Sequence, residues 1–246
     1  MDLDVGVLTA VAAGWGAAAG LLVPRAAYRL AVDPDEPWRD RCPAGHAITG
    51  AAGGWFGRAR CADGDRYGPG TPAVCLATAL VCAALAPATG IRPELVVWLL
   101  LAPLAVLLAV VDFRVQRLPD ALTLPLAGAA LALLGGAALA PGHAGDWPTA
   151  LSGSLALGGA YFVLFLISPR GMGFGDVKLA LGLGAVLGWY GWSVLFLGTF
   201  AGFLFGGLYG LALVVVRRAG RRTSMPFGPF LLAGAFVGLL IGAYAA

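Results

Sequence analysis

The sequence predicts an all-α membrane protein, a polytopic bundle of about eight transmembrane helices with a cytoplasmic loop after the first. Three observations lead there. Hydrophobic residues fill 59% of 246 positions and charged residues only 12%, far from the composition of a water-soluble domain. Apolar tracts approaching the ~20 residues that cross a hydrocarbon core recur eight times. The sixteen Lys and Arg fall almost entirely on alternate gaps between those tracts.

In chain order the tracts cover residues 5–23, 71–88, 95–111, 121–140, 147–167, 177–189, 192–216 and 226–245. The first follows Met1, Asp2, Leu3 and Asp4 with no basic stretch before it and no clear cleavage site after it, so it reads as a retained helix rather than a signal peptide. The sixth is short and glycine-rich, which suits a helix packed inside the bundle.

The gap between the first two tracts holds Arg25, Arg29, Arg39, Arg41, Arg58, Arg60 and Arg66. Arg114 and Arg117, then Arg170 and Lys178, then Arg217, Arg218, Arg221 and Arg222 follow on the same side, and Arg92 alone falls on the other. Cytoplasmic loops are the ones enriched in Lys and Arg, so both termini are expected to face outward. The net charge of +3 therefore carries no nucleic-acid message. Loop arginines orient the protein and contact anionic lipid.

Residues 24–70 form the one sizeable hydrophilic segment. It lacks helical or strand periodicity and is expected to be irregular. Cys42 in RCPAGH, His46 and Cys61 in RCADG resemble the start of a zinc loop, but paired CxxC units are absent and three candidate ligands fall short of a tetrahedral set. No metal and no cofactor is expected. Cys75 and Cys82 share a face of the second tract and read as packing residues.

Ionisable residues at membrane depth are costly and point to function. Asp112 comes directly after the apolar run LLAPLAVLLAVV, and Asp176 ends GMGFGD just before the sixth tract. The orientation puts both at the cytoplasmic face on different helices. Two close carboxylates cannot both ionise cheaply, so the pair supplies an acid and a base for peptide hydrolysis through an attacking water. Gly171, Gly173 and Gly175 would give the backbone before Asp176 unusual conformations and room for another chain. The competing plain reading is a solvated loop aspartate at 176 and an Asp112 paired with Arg114. A dinucleotide loop is excluded, since a membrane helix rather than a strand precedes the glycines.

Together DFRVQRLPDALTLPL, GMGFGDVKLALGLGAVLGW and MPFGPFLLAGAF resemble the type IV prepilin peptidases, the bacterial branch of the GxGD aspartyl proteases, over roughly residues 71–246. The resemblance implies catalytic roles for Asp112 and Asp176 and an active-site role for the loop glycines and Lys178. It also implies structural motif roles for Pro119, Asp120, Pro226, Gly228 and Pro229. Asp120, following Pro119, is expected to cap the fourth tract by accepting backbone N–H groups. Lys178 would tune the pair's charge or meet a lipid headgroup.

The larger members of that family carry two cytoplasmic CxxC pairs that can hold zinc, and some methylate the new N-terminus. Here one cysteine of each pair is missing, so residues 1–70 read as a first helix plus a degenerate loop ahead of a peptidase core at 71–246. The implied activity is removal of a basic leader from prepilins or pseudopilins at the cytoplasmic face of the inner membrane, with pilus or type II secretion machinery as partners. Two other classes compete. A transporter or channel would need polar groups at the bilayer midplane, where these tracts are apolar, and a scaffold would bind pilins without cutting them.

Overall fold

The computed structural model describes residues 2–33, 36–169, 171–216 and 225–246, and the side chains from residue 5 onward. Arg170, Arg217, Arg218, Arg221 and Arg222, used above for orientation, lie outside the described residues. Among the described residues ten helices follow one another: α1 (Asp2–Gly20), α2 (Val23–Leu30), α3 (Ala51–Gly54), α4 (Thr71–Thr89), α5 (Glu94–Val115), α6 (Asp120–Ala138), α7 (Trp147–Ile167), α8 (Phe174–Gly188), α9 (Trp192–Val215) and α10 (Gly228–Ala245). Every predicted tract is a helix. Six, namely α4, α5, α6, α7, α9 and α10, are long and apolar enough to cross a bilayer, and α1 with α2 forms a seventh span if their 40° bend is counted within one. This is a multi-pass helical membrane protein.

The one expected span that remains, the sixth tract, is α8, whose 15 residues reach only about 22 Å. Its neighbours α6, α7, α9 and α10 wrap it instead, and ten of its residues are buried. Two boundaries differ from the sequence reading in a way that matters. The helix that ends the third tract continues to Val115, so Asp112 lies within α5 rather than after it. Likewise α8 begins at Phe174, so Asp176 lies in its first turn rather than before it. Hydropathy marks where lipid-compatible residues end, whereas the backbone ladder continues through polar side chains until a left-handed residue stops it. Gln116, at φ 50°, does so for α5.

Small residues let the spans approach closely, as expected where lipid gives helices no hydrophobic reason to associate. A Cβ on Gly153 would sit 2.7 Å from the Gly184 carbonyl oxygen, and one on Gly16 would sit 2.5 Å from that of Thr78. Gly234 meets Gly202 and Gly198 in the same manner between α10 and α9. Ser154 adds a hydrogen bond across α7 and α8, its Oγ donating to the Leu181 carbonyl at 2.7 Å.

The hydrophilic segment is more ordered than expected. It opens with α2, which the sequence reading missed because its buried face alternates apolar residues with two arginines. Arg25 turns inward and donates to the carbonyls of Arg58, Thr49 and Phe56, at 3.1, 2.9 and 3.1 Å. Arg29 donates to those of Arg39 and Gly53 and stacks 4.0 Å over Trp55. A segment without a regular ladder must still satisfy its backbone, and these two guanidiniums do that. Both are buried, so the reading of loop arginines as headgroup contacts fails for them.

Two matching knuckles follow. Cys42 and Cys61 each start a hairpin whose cysteine N–H bonds a carbonyl four residues on, His46 at 2.9 Å and Asp65 at 2.7 Å. Each closes through a glycine three residues after the cysteine, Gly45 at φ 85° and Gly64 at φ 91°. Isolated antiparallel bridges, Arg41 with Ala47 and Arg60 with Arg66, complete them.

Candidate active site

Asp112 and Asp176 are brought to one end of the bundle, both nearly buried, at 4% and 7% exposure. Each is held by a backbone amide at the start of a helix. The Asp112 Oδ2 accepts from the Gly228 N–H of α10 at 2.9 Å, and the Asp176 Oδ2 accepts from the Gly173 N–H ahead of α8 at 3.2 Å. Helix N-termini carry unpaired N–H donors and a partial positive charge, which is where a carboxylate is stabilised. Asp112 is thus not spent on Arg114, and Asp176 is not a solvated loop residue.

Leu118 is the spacer of this arrangement. It is buried in the link between α5 and α6, and a Cβ added to Gly175 would come within 2.9 Å of its Cβ. Its Cδ1 lies 3.3 Å from where a Cβ on Gly228 would be. The first turns of α8 and α10 therefore close on the same leucine. Gly228 has a second constraint, because its own added Cβ would sit 2.8 Å from the Asp112 Oδ2.

Two of the loop glycines, Gly171 and Gly175, act by size rather than by conformation, and a Cβ on Gly173 would make only an ordinary 3.5 Å contact. Gly173 has φ −74° and ψ 143°, open to any residue, and Gly171 and Gly175 are not among the positive-φ glycines. What they admit is the chain's own Leu118 at Gly175 and Ser168 at Gly171, where a Cβ would lie 2.7 Å from the serine Oγ. The expectation of unusual backbone conformations is corrected accordingly.

Asp120 is also reassigned. It is the first residue of α6, where the N-cap position belongs to Pro119 and no side chain caps the helix. Its carboxylate instead meets the Lys178 Nζ at 2.6 Å. A tertiary cation on α8 outcompetes the local backbone donors. Lys178 also lies 4.8 Å over the Phe174 ring, so it ties α8 to α6 and is not a free charge. Pro226 precedes α10 half-buried, and Pro229 is buried in its first turn, where a missing N–H costs nothing. Gly228 is left as the donor.

From this end an apolar cavity of about 300 Å³ runs into the bundle between α5, α8 and α10. It begins at Ala109, one turn before Asp112, and at Pro229, and continues past Leu183 to Trp98 and Phe236.

The knuckle residues do not fit a metal. His46 turns the same nitrogen, Nδ1, toward the Cys42 sulfur at 3.7 Å and toward Asp63 at 3.6 Å. Among the described residues no group of three or more His, Cys, Asp or Glu is arranged to hold an ion. Burial pushes the Cys42 thiol up, but hydrogen bonds from Cys61, from the backbone at Ala44 and His46, and from the His46 ring outweigh it and bring it down to about 7. The Cys61 thiol is held up by its bond to Cys42 and by burial. The two knuckles pack together, Cys61 lying against a small core of Cys42, Ile48, Ala59 and Tyr67.

Sequence comparison places these features among known proteins. Residues 99–211, which include both aspartates, match the Type IV leader peptidase family. Three similar proteins carry the name prepilin leader peptidase/N-methyltransferase. One from Aeromonas hydrophila is 36% identical over 180 residues, 70% of this chain and 58% of the relative. One from Pseudomonas aeruginosa is 34% identical over 200 residues, 78% and 64%. One from Escherichia coli K12 is 34% identical over 170 residues, 68% and 71%. The chain thus spans less than two thirds of the length of the first two. No solved structure matches it.

Proposed function

Since this chain belongs to the type IV leader peptidase family, we propose that it is a membrane-embedded aspartic endopeptidase that removes the leader of prepilins or pseudopilins. The observation that carries the proposal is the buried pair, Asp112 and Asp176, sharing one end of the bundle, each held at a helix N-terminus whose first turn closes on Leu118. That end is assigned to the cytoplasmic face of the inner membrane on the distribution of Lys and Arg. Pilus or type II secretion machinery would receive the product.

The pair works with one proton between its members. The ionised carboxylate takes a proton from a water as the water oxygen attacks the scissile carbonyl. The protonated carboxyl hydrogen-bonds the carbonyl oxygen as charge develops there, and a proton then passes to the leaving amine. Leu118 and the first turns of α8 and α10 fix the carboxylates, so little reorganisation accompanies the reaction. No metal enters the steps. The proposal is confined to peptide cleavage by the core at 71–246, with residues 1–70 as a first helix and a metal-free knuckle segment.

Co-expression with prepilins from the same genome tests this. Leader removal, read by mass, is expected in the wild type and lost in Asp112→Ala and in Asp176→Ala. Equal processing by all three would defeat the assignment.

A further inference from the structure

One buried polar group remains beside the acid pair and has no role in the steps above. Helices α7 and α8 run antiparallel with a register fixed by close contacts. Gly188 packs on the Thr149 carbonyl, and Gly184 packs on Gly153. Each four residues forward on α7 thus match four residues back on α8. The register continues through Leu157 and Ala180, which line one small cavity together with Tyr161, and then brings Tyr161 opposite Asp176. The Tyr161 side chain is 2% exposed. Among the described residues its hydroxyl has no hydrogen-bond partner, and Asp176 lies within electrostatic range of its phenol.

A buried hydroxyl without a partner is costly to keep, and such groups are rare in folded proteins. The Tyr161 ring is fixed against Phe203, 5.9 Å between centroids, and Phe203 stands 5.4 Å from Phe227, next to Gly228. The ring is therefore held by α9 on a residue whose register places it opposite the first turn of α8. At rest each acid has one backbone donor, and the shorter bond belongs to Asp112. Nothing in that balance makes Asp176 the base. A second donor on Asp176 would do so, because a hydrogen bond to the charged form favours that form.

We propose that Tyr161 is a positioning residue for Asp176: its O–H donates to the Asp176 carboxylate in the substrate-bound state, making Asp176 the base and leaving the shared proton on Asp112. This rests on the aspartate-pair reading. The other ionisable groups near Asp176 among the described residues are Asp112 on α5 and Lys178 on α8 itself. Lys178 is neutralised by Asp120 of α6. The described parts of α9 and α10 bring no charged side chain to it.

The test is Tyr161→Phe, reconstituted in liposomes with a full-length prepilin from the same genome and followed over pH 5 to 9. Phenylalanine keeps the ring against Phe203, and thermal unfolding checks that the fold is intact. Loss of a hydrogen bond to a charged group is expected to lower kcat about 10- to 100-fold with KM little changed. The acidic limb of the kcat profile should move up by about one pH unit, since the base has lost a donor that favoured its ionised form. Unchanged kcat, or a loss of rate with an unmoved acidic limb, would overturn the inference. Asp176→Asn is run alongside. If it still cleaves, the pair itself is wrong and the role of Tyr161 falls with it, whereas an inert Asp176→Asn beside an unaltered Tyr161→Phe rejects Tyr161 alone.

Discussion

Replacing Gly228 by alanine tests the acid pair without touching either acid. The new methyl carbon would stand 2.8 Å from the Asp112 Oδ2, 3.3 Å from its Cγ and 3.3 Å from the Leu118 Cδ1. Real Cβ contacts are longer, so the carboxylate must retreat by several tenths of an ångström, and the 2.9 Å bond from the Gly228 N–H is stretched or lost. A hydrogen bond to a charged group contributes about 1.5–3 kcal/mol. At about 1.4 kcal/mol per decade this predicts a fall of about 10- to 100-fold in kcat/KM for leader cleavage. The assay is leader removal from a reconstituted prepilin at limiting substrate. Gly136→Ala serves as a control because its Cβ meets nothing within 4 Å. Wild-type kinetics in Gly228→Ala, with the Gly136 variant also normal, would show that the carboxylate need not stay where the structure holds it.

Three further outcomes are expected. Lys178→Met breaks a pair whose aspartate is 64% exposed, so it should cost under about 1 kcal/mol and change cleavage by less than about 5-fold. A complete loss of activity would instead give Lys178 a chemical role. Arg25→Ala strips three carbonyls of their donor and should destabilise the knuckle segment by about 2–4 kcal/mol, read as faster tryptic cleavage after Arg58 and Arg60. An unaltered digestion rate counts against the scaffold role. The Cys42 thiol, brought down to about 7 from 9.0, is protonated and unreactive well below that pH and thiolate above it. Access slows both thiols, Cys42 being buried and Cys61 partly so, but the pH dependence is independent of that factor: the Cys42 labelling rate with iodoacetamide should rise through pH 7 and level off near 8. At pH 7 the larger thiolate fraction, offset by weaker nucleophilicity, leaves an advantage of about 6-fold over an ordinary thiol of equal exposure. A rate still climbing at pH 9 refutes the assignment.

The residues of the site were legible in proportion to their contrast with the membrane around them. Asp112 and Asp176 stand out because a carboxylate beside an apolar tract has few explanations. Leu118 and Tyr161 have no such contrast, since a leucine beside a proline and a tyrosine in a span are ordinary. What gives them meaning is the close packing of α8 and α10 on one and the register of α7 against α8 at the other. Asp120 misled for the opposite reason. Its place at a helix start satisfies a local rule, and only the fold brings Lys178 within 2.6 Å to override it. The knuckles show a third case. Their cysteines pointed toward metal chemistry, while the backbone shape survives through glycines with φ near 90° and through arginines 13 to 17 residues upstream of Cys42.

The placement of the two acids also explains why one end of the bundle is built from short and broken elements. Two carboxylates at the bilayer midplane would have to be neutral or be paired with cations, and either state leaves the pair without an ionised member to take a proton from water. At the first turn of a helix it meets unpaired N–H groups instead, which stabilise the charge without supplying a proton that competes with the substrate's water. Two such turns are needed, one per acid, and they must face each other. Here α8 and α10 both begin at this end, one after GMG and the other after MPF, and both close on Leu118. The 15-residue length of α8 follows from the same requirement: its N-terminus has to stop at the depth of Asp112, inside the bundle, rather than run on to the surface. One extra helical turn inserted directly after Asp176 would carry its carboxylate about 5 Å past its partner while the rest of α8 keeps its register on α7. Such an insertion should therefore abolish leader removal, read by mass, even though both aspartates are kept.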